Sequence, residues 1–391
     1  MATRPQLMIQ GPVDVAEDVL GPMAEPTVAH YGNDWPGLYW ETISLLQYGF
    51  CTKNSILILP GSGTTGLDAA VGSMLATGER VLVLSSGSYA ERLAAIARAY
   101  ALETEVLRSP FFEPVPLRPV EERLREGGWQ AVLMVHHETS GGVLNPVRDV
   151  SELCHRHGTP LIVDAVSSLG TTELDTDAWG IDLCVSASQK GLEAPPGLAL
   201  MSVSERAWQI MEKKAPTGHG FCLNLLTWRD AIEKEKDWHP SLVTMPCALI
   251  LALRAALKAF QSEGWPQRLA RYRRSQRLVR TGLKAMGFDL LVDDRYAATG
   301  VTATIPPTGI DPLVLKRRLL DKHNLMVASA EGEWEQKALR IGHMGVGTRP
   351  ERLITFLLAM EDTVRQLGYH VMPNSSLTGL PEFWGSIGTA A

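Results

Sequence analysis

Lys190, in Ser188-Gln189-Lys190-Gly191, stands 26 residues beyond Asp164, in Val163-Asp164-Ala165-Val166. Each follows an apolar, β-branched run that reads as a buried strand. An amine and a carboxylate at strand ends are the pair that a pyridoxal phosphate cofactor requires. The amine holds the aldehyde as a Schiff base, and the carboxylate keeps the pyridine nitrogen protonated so that the ring accepts electrons from a substrate carbanion. Taken singly, Asp164 also fits a turn or helix-capping acid, and Lys190 a solvated side chain. Together they point to chemistry.

The elements that must position them follow from the pattern around them. Between about residues 55 and 205, short apolar runs at 56–59, 81–85, 104–107, 131–135, 161–163, 183–187 and 198–203 alternate with helical patterns such as 89–100 and 150–157. That alternation predicts an α/β fold with a mostly parallel sheet covered on both faces, and the carboxyl ends of such strands open on one crevice. An apolar helix over 245–260 leads to an arginine-rich helix over 268–286. Strand-like 301–305, 325–329 and 338–341 and helical 311–323 and 350–367 then compose a smaller α+β domain. The expected division is an N-terminal segment over 1–20, a large domain over 21–260 and a small C-terminal domain over 261–391, whose tail from Met372 has no periodicity and reads as a loosely ordered extension.

Three further clusters carry candidate chemistry. Gly61-Ser62-Gly63-Thr64-Thr65-Gly66 follows one strand and opens a helix, so its backbone N–H groups and the hydroxyls of Ser62, Thr64 and Thr65 form a cup for a phosphate. The same residues match the dinucleotide pattern G-x-G-x-x-G, which keeps a nicotinamide-dependent oxidoreductase open. That reading wants an acid at the end of the next strand, where Ser85-Ser86-Gly87 stands instead. Tyr89 places a ring at a neighbouring loop, either to stack on a flat cofactor or to pack in the core. Arg340, charged within an apolar strand, suits a substrate carboxylate or a structural ion pair. The adjacent His136 and His137 project in different directions from an extended chain, and no metal is expected there.

Composition bounds the classes. Of 391 residues, 45% are hydrophobic and 20% charged, and 37 basic against 43 acidic residues give a net charge of -6, which offers no general attraction to nucleic acid or an anionic membrane. The arginines between 268 and 280 are interleaved with leucines and Val279, the pattern of a solvated helix face. Five scattered cysteines without a C-x-x-C pair fit a reducing setting, and no apolar run is long enough for a signal or a membrane span, so a cytoplasmic location is expected.

The chain resembles the class V branch of fold-type I pyridoxal phosphate aminotransferases, near the alanine-glyoxylate, serine-glyoxylate and pyridoxamine-pyruvate enzymes. The resemblance spans roughly residues 8–368 and is carried by Gly11-Pro12, Gly61-Ser62-Gly63, His137 to Gly142, Val163 to Ser168, Ser188-Gln189-Lys190, Ala194 to Gly197 and Leu339 to Gly342. It implies a large domain with a mostly parallel seven-stranded sheet, a smaller C-terminal α+β domain, and a homodimer with shared active sites. By resemblance, Lys190 binds the cofactor and shuttles a proton between substrate Cα and cofactor C4′, and Asp164 pairs with the ring nitrogen. Tyr89 and Val166 cover the two ring faces, Ser62, Gly63 and Gln189 contact the phosphate, and Thr139 stands near the phenolic oxygen. Thr244 reaches the phosphate of the neighbouring subunit, and Arg340 clamps the substrate carboxylate. The implied reaction is a ping-pong exchange between a small amino acid and a 2-oxo acid. Glu331 stands where the pyridoxamine-pyruvate enzymes carry a second arginine, and Ser62 where they carry a glutamate. Cysteine desulfurases share the fold but need a nucleophilic cysteine in the small domain, and no cysteine follows Cys247. A third, non-enzymatic reading is a cofactor-binding regulatory domain, and the absence of any DNA-binding extension at either terminus speaks against it.

Overall fold

The structure is a computed structural model that describes residues 4–214 and 220–385. A seven-stranded sheet forms its larger part, from β1 (Ser55–Pro60), β2 (Arg80–Ser85), β3 (Glu103–Arg108), β4 (Ala131–Val135), β5 (Leu161–Asp164), β6 (Leu183–Ala187) and β7 (Leu198–Val203). The strand order is β1-β7-β6-β5-β4-β2-β3. All neighbours are parallel except β7, which runs antiparallel to β1 and β6. The reversal has a simple cause: the link from Ala187 to Leu198 is too short for a parallel crossover, so the chain folds straight back. That tight return is the segment that carries Lys190.

Register fixes the site. Val135 pairs with Asp164, and Asp164 with Val185, so the ends of β4, β5 and β6 lie side by side. Helix α1 (Trp35–Phe50) covers the β1 edge, and α2 (Gly63–Met74) and α3 (Ser88–Ala99) follow β1 and β2. Helix α2 packs closely because it begins with glycines: a Cβ on Gly66 would stand 2.8 Å from Val185 Cγ1, and one on Gly63 2.5 Å from Val166 Cγ2. Buried aliphatics of the strands and helices from Val19 to Phe260 make one continuous core.

Helix α4 (Cys247–Glu263) and α5 (Trp265–Ala285) lead into a second core that gathers residues from Leu278 to Phe383 together with Met8. Its four-stranded sheet comprises β8 (Asp289–Leu290), β9 (Val301–Ile305), β10 (Ala328–Ser329) and β11 (Leu339–Gly342), in the antiparallel order β8-β9-β11-β10. Helices α6 (Pro312–His323) and α7 (Pro350–Gln366) cover it. The N-terminal segment is shared between the cores. Gln6–Leu7 pairs with Leu325–Met326 and Met8 accepts from the Gly342 amide, whereas Val13 donates to the Gln189 carbonyl.

Four expectations change. The tail from Met372 is not a loose extension within the described residues: Ser375–Leu377 is a short 3-10 turn, Leu380–Gly385 a helix, and Phe383 is buried in the second core. Glu361 secures it by accepting from the amides of Asn374 and Ser376. The arginine-rich helix is not wholly a solvated face, because Arg268 and Arg280 are buried. By sequence, Trp35, Tyr39 and Trp40 are candidates to narrow the donor pocket or to lie buried at a dimer interface; the structure puts Trp35 and Tyr39 in the chain's own large core and leaves Trp40 exposed. The run over 325–329 breaks into two short strands around buried Val327.

Candidate active site

Asp164 ends β5 and is buried, its carboxylate accepting from the Val166 amide at 2.8 Å. Burial pushes this acid up to about 7, so it is a carboxylate in search of a cation. Lys190 lies on the return from β6 to β7 and is also buried. Burial first, then the nearby Arg340 charge, brings its amine down to about 8, favouring the neutral, nucleophilic form. Its Nζ donates to the Gln10 carbonyl at 2.5 Å. The N-terminal segment crosses directly over the lysine, and only glycine permits this at position 11: φ is +128°, and a Cβ would stand 2.5 Å from Lys190 Cδ.

Both groups line a cavity of 360 Å³ together with Ser62, Gly63, Thr64, Tyr89, His137, Thr139, Val166 and Gln189. At one end, Ser62 opens α2 and its amide donates to Thr65 Oγ1 at 3.2 Å. Arg92 Nη1 reaches Thr64 Oγ1 at 3.5 Å, and its guanidinium lies 4.9 Å from the Tyr89 ring centre. At the other end, Thr139 and Ser167 share a hydroxyl hydrogen bond of 2.6 Å, and His137 Nδ1 lies 3.1 Å from the Ser167 carbonyl. Burial takes the His137 imidazole down to about 3, so it is neutral. Among the described residues, two buried polar atoms in this cavity lack partners, Gln189 Oε1 and His137 Nε2.

Tyr89 is positioned by a residue that spacing alone does not reveal. The Glu138 carboxylate accepts from the amides of Tyr89 (3.3 Å) and Ala90 (3.1 Å) at the start of α3, and from the amide (3.0 Å) and hydroxyl (2.5 Å) of Ser140. It thus caps a helix from a different segment. Burial raises its pKa, while these donors work against that rise. Gly87 makes room for the cap, since a Cβ there would stand 2.3 Å from Ser140 Oγ. Arg92 was missed as well, although its position three residues beyond Tyr89 puts both on one helix face and was a usable signal.

The small domain contributes Arg340 from β11. Its Nε donates to the Ser329 carbonyl at 2.9 Å and its Nη1 to the Thr139 carbonyl at 3.1 Å, while Nη1 also lies 2.9 Å from Glu331 Oε1. The ion pair is therefore present, and it sits against the cavity wall rather than away from it. Thr244 stands exposed shortly before α4 and does not line its own chain's cavity. The donor side chain is expected to meet loops around residues 30–40 and 215–225, and of the second, residues 215–219 lie outside the described residues.

The lysine loop is tied down from below. Glu193 has a left-handed backbone, φ 61°, and its carboxylate meets Arg268 at 2.8 Å, Arg271 at 2.9 Å and the Tyr272 hydroxyl at 2.9 Å. Burial alone would raise this acid, but the two arginines hold it at about 2. Arg268 also donates to the carbonyls of Gly170 and Gly191.

A larger cavity of 720 Å³, lined by His136, Arg148, Arg273 and Arg280 among others, contains neither Lys190 nor Asp164. His136 and His137 thus face different cavities. The glycine-rich loop shares its cavity with the lysine and the aspartate, which is the arrangement for a phosphorylated aldehyde rather than a dinucleotide.

Residues 30–336 match the family model of aminotransferase class V. The chain belongs to that family. An uncharacterized aminotransferase of Methanocaldococcus jannaschii is 36% identical over 95% of both chains. The pyridoxamine–pyruvate transaminase of Mesorhizobium japonicum is 30% identical over 92% of this chain and 91% of its own. The crystal structure of an alanine–glyoxylate aminotransferase from Nostoc superposes with a TM-score of 0.89 at 30% identity, over 93% of this chain and 96% of the other. The protein is thus a pyridoxal phosphate-dependent transaminase of fold type I. The residues present fit that cofactor. A buried carboxylate with no ion pair among the described residues, a buried amine of lowered pKa, a phosphate cup with a nearby guanidinium, and the orphaned Gln189 Oε1 all line one cavity.

Proposed function

We propose that this class V aminotransferase moves the amino group of a small amino acid, of the alanine or serine type, to glyoxylate or pyruvate by a ping-pong mechanism. The observation that carries the reading is Arg340: one buried guanidinium from the small domain stands behind the cavity wall, bonded to the carbonyl of the lining residue Thr139, a clamp for one carboxylate, and its neighbour Glu331 is an acid rather than a second clamp. When bound, the cofactor supplies the electron sink that stabilises a carbanion at substrate Cα. Ser62, Gly63, Thr64 and Gln189 hold its phosphate, with Thr244 of the partner subunit closing the cup, and Asp164 keeps its ring nitrogen protonated. Tyr89 and Val166 cover the two ring faces and Thr139 meets the phenolic oxygen. Lys190 would hold the aldehyde and, as a neutral amine, would move the proton between substrate Cα and cofactor C4′. A cytoplasmic homodimer with shared sites follows from this assignment. Among the described residues, no helix is long and apolar enough to cross a membrane.

Comparative turnover tests the reading. Alanine or serine with glyoxylate or pyruvate should be exchanged far faster than aspartate or glutamate; turnover confined to the dicarboxylic donors would overturn it. A second reading, a pyridoxamine–pyruvate exchange on a vitamin B6 compound, draws on the 30% identical relative. The intact Ser62-Gly63-Thr64 cup speaks for retention of a phosphate instead. An unaltered rate in Ser62→Glu would favour the second reading.

A further inference from the structure

Arg340 stands behind the lining residue Thr139 and is already engaged. Its Nη1 divides between the Thr139 carbonyl and Glu331, and its Nε is committed to Ser329. The guanidinium is nearly enclosed, with 5% of its side chain exposed, whereas Glu331 retains 29%. The pair is thus a buried cation covered by an acid on its open side.

The backbone around Glu331 is held in place. The Ala330 amide donates to the Ala338 carbonyl at 2.9 Å and the Ala338 amide to the Trp334 carbonyl at 3.0 Å. Trp334 packs edge-on against Phe112, which is buried in a small separate cluster with Val143 and Val292, with ring centres 5.0 Å apart. Glu331 can leave Arg340 by rotating its own side chain, without moving the loop. Both charges are felt inside the cavity: Arg340 lowers the proton affinity of Lys190 and Tyr89, and Glu331 raises that of both.

With Nε committed to Ser329, a substrate carboxylate that takes Arg340 bidentately does so through the two Nη groups, and at Nη1 it competes with the Glu331 carboxylate. We infer that Glu331 is a specificity residue of the carboxylate pocket: it occupies Arg340 until a substrate carboxylate displaces it, and once displaced it repels substrates that carry a second carboxylate. The donors admitted are those with a neutral side chain or one that offers N–H or O–H groups to the displaced acid. The inference rests on the proposed role of Arg340 as the clamp and goes beyond it by assigning the acid opposite.

The test uses pyridoxal phosphate-loaded wild type, Glu331→Gln and Arg340→Gln, with propionate and succinate as unreactive probes and dissociation constants from calorimetry. Glu331→Gln should bind propionate about tenfold more tightly, the scale of a partly buried charge-assisted hydrogen bond, and succinate with a still larger gain. Equal affinities in wild type and Glu331→Gln would overturn the inference, as would a gain for propionate that succinate does not exceed. Arg340→Gln separates this from the clamp itself. If it binds propionate as well as wild type does, Arg340 is not the clamp and both readings fall. If it loses propionate while Glu331→Gln equals wild type, only the inference on Glu331 falls. Unchanged melting of Glu331→Gln confirms that the comparison concerns binding.

Discussion

Glu193 lies three residues beyond Lys190, and its environment predicts a measurable acid sensitivity. Its carboxyl is held at about 2 against an ordinary 4.5, chiefly by Arg268 and Arg271 against the effect of burial. The native state therefore binds fewer protons than the unfolded chain between those values, and stability must rise with pH across that window. The contribution, roughly 3 kcal/mol from the size of the shift, is fully present above pH 4.5 and lost as pH falls toward 2. About 1.4 kcal/mol of it is gone by pH 3.5. Glu193→Gln removes this dependence and leaves Arg268, of which only 3% is exposed, with Glu263 alone. A cost of about 2–4 kcal/mol at neutral pH follows. Urea unfolding of both proteins at several pH values between 7 and 3.5 provides the assay. Wild type should converge on the variant as pH falls, by about 1.4 kcal/mol at pH 3.5. Parallel curves with a constant gap would refute the assignment of the low-pKa acid. Since the same carboxylate fixes the return that carries Lys190, the variant should also release cofactor more readily.

Asp164→Asn should keep the lysine-bound cofactor, seen by its visible band, while amino exchange falls by roughly a hundredfold or more, the scale for loss of one preorganised electrostatic partner; retained activity would argue against the ring-nitrogen role. Glu138→Gln should cost about 1–2 kcal/mol in denaturant unfolding through its weakened cap on α3, and should loosen cofactor binding because Tyr89 begins that helix. Gly11→Ala places a Cβ 2.5 Å from Lys190 Cδ, so cofactor uptake should slow markedly relative to wild type in a stopped-flow absorbance trace. Cofactor uptake by wild type should also accelerate as pH rises through about 8, where the Lys190 amine loses its proton; a flat profile from pH 7 to 9 would contradict the lowered amine.

Much of the site could be read from the chain because its parts follow strands directly. Asp164 and Lys190 end or follow apolar runs whose parallel packing leaves no choice about which edge they share, and the Gly61 to Gly66 loop announces a helix start. Residues that act across segments were illegible. Glu138 caps a helix that begins 50 residues earlier, and Glu193 earns its low pKa only where α5 crosses beneath the lysine return. The tail illustrates the same limit: its short turns lack periodicity, and their order comes from Glu361 and from Phe383 entering a core built elsewhere. Buried Arg268 defeated the surface reading because its partner Glu193 lies 75 residues away in sequence, and buried Arg280 because Asp294 reaches back to it from beyond the end of its helix.

Lys190 and Asp164 share one cavity, and the Lys190 amine should be the group that holds pyridoxal phosphate there. Borohydride reduction of the loaded protein, followed by proteolysis and mass analysis, decides this. The reduced pyridoxyl phosphate increment should fall on the peptide containing Lys190 and vanish in Lys190→Ala. An increment on another lysine, or an unchanged yield in the variant, would contradict it.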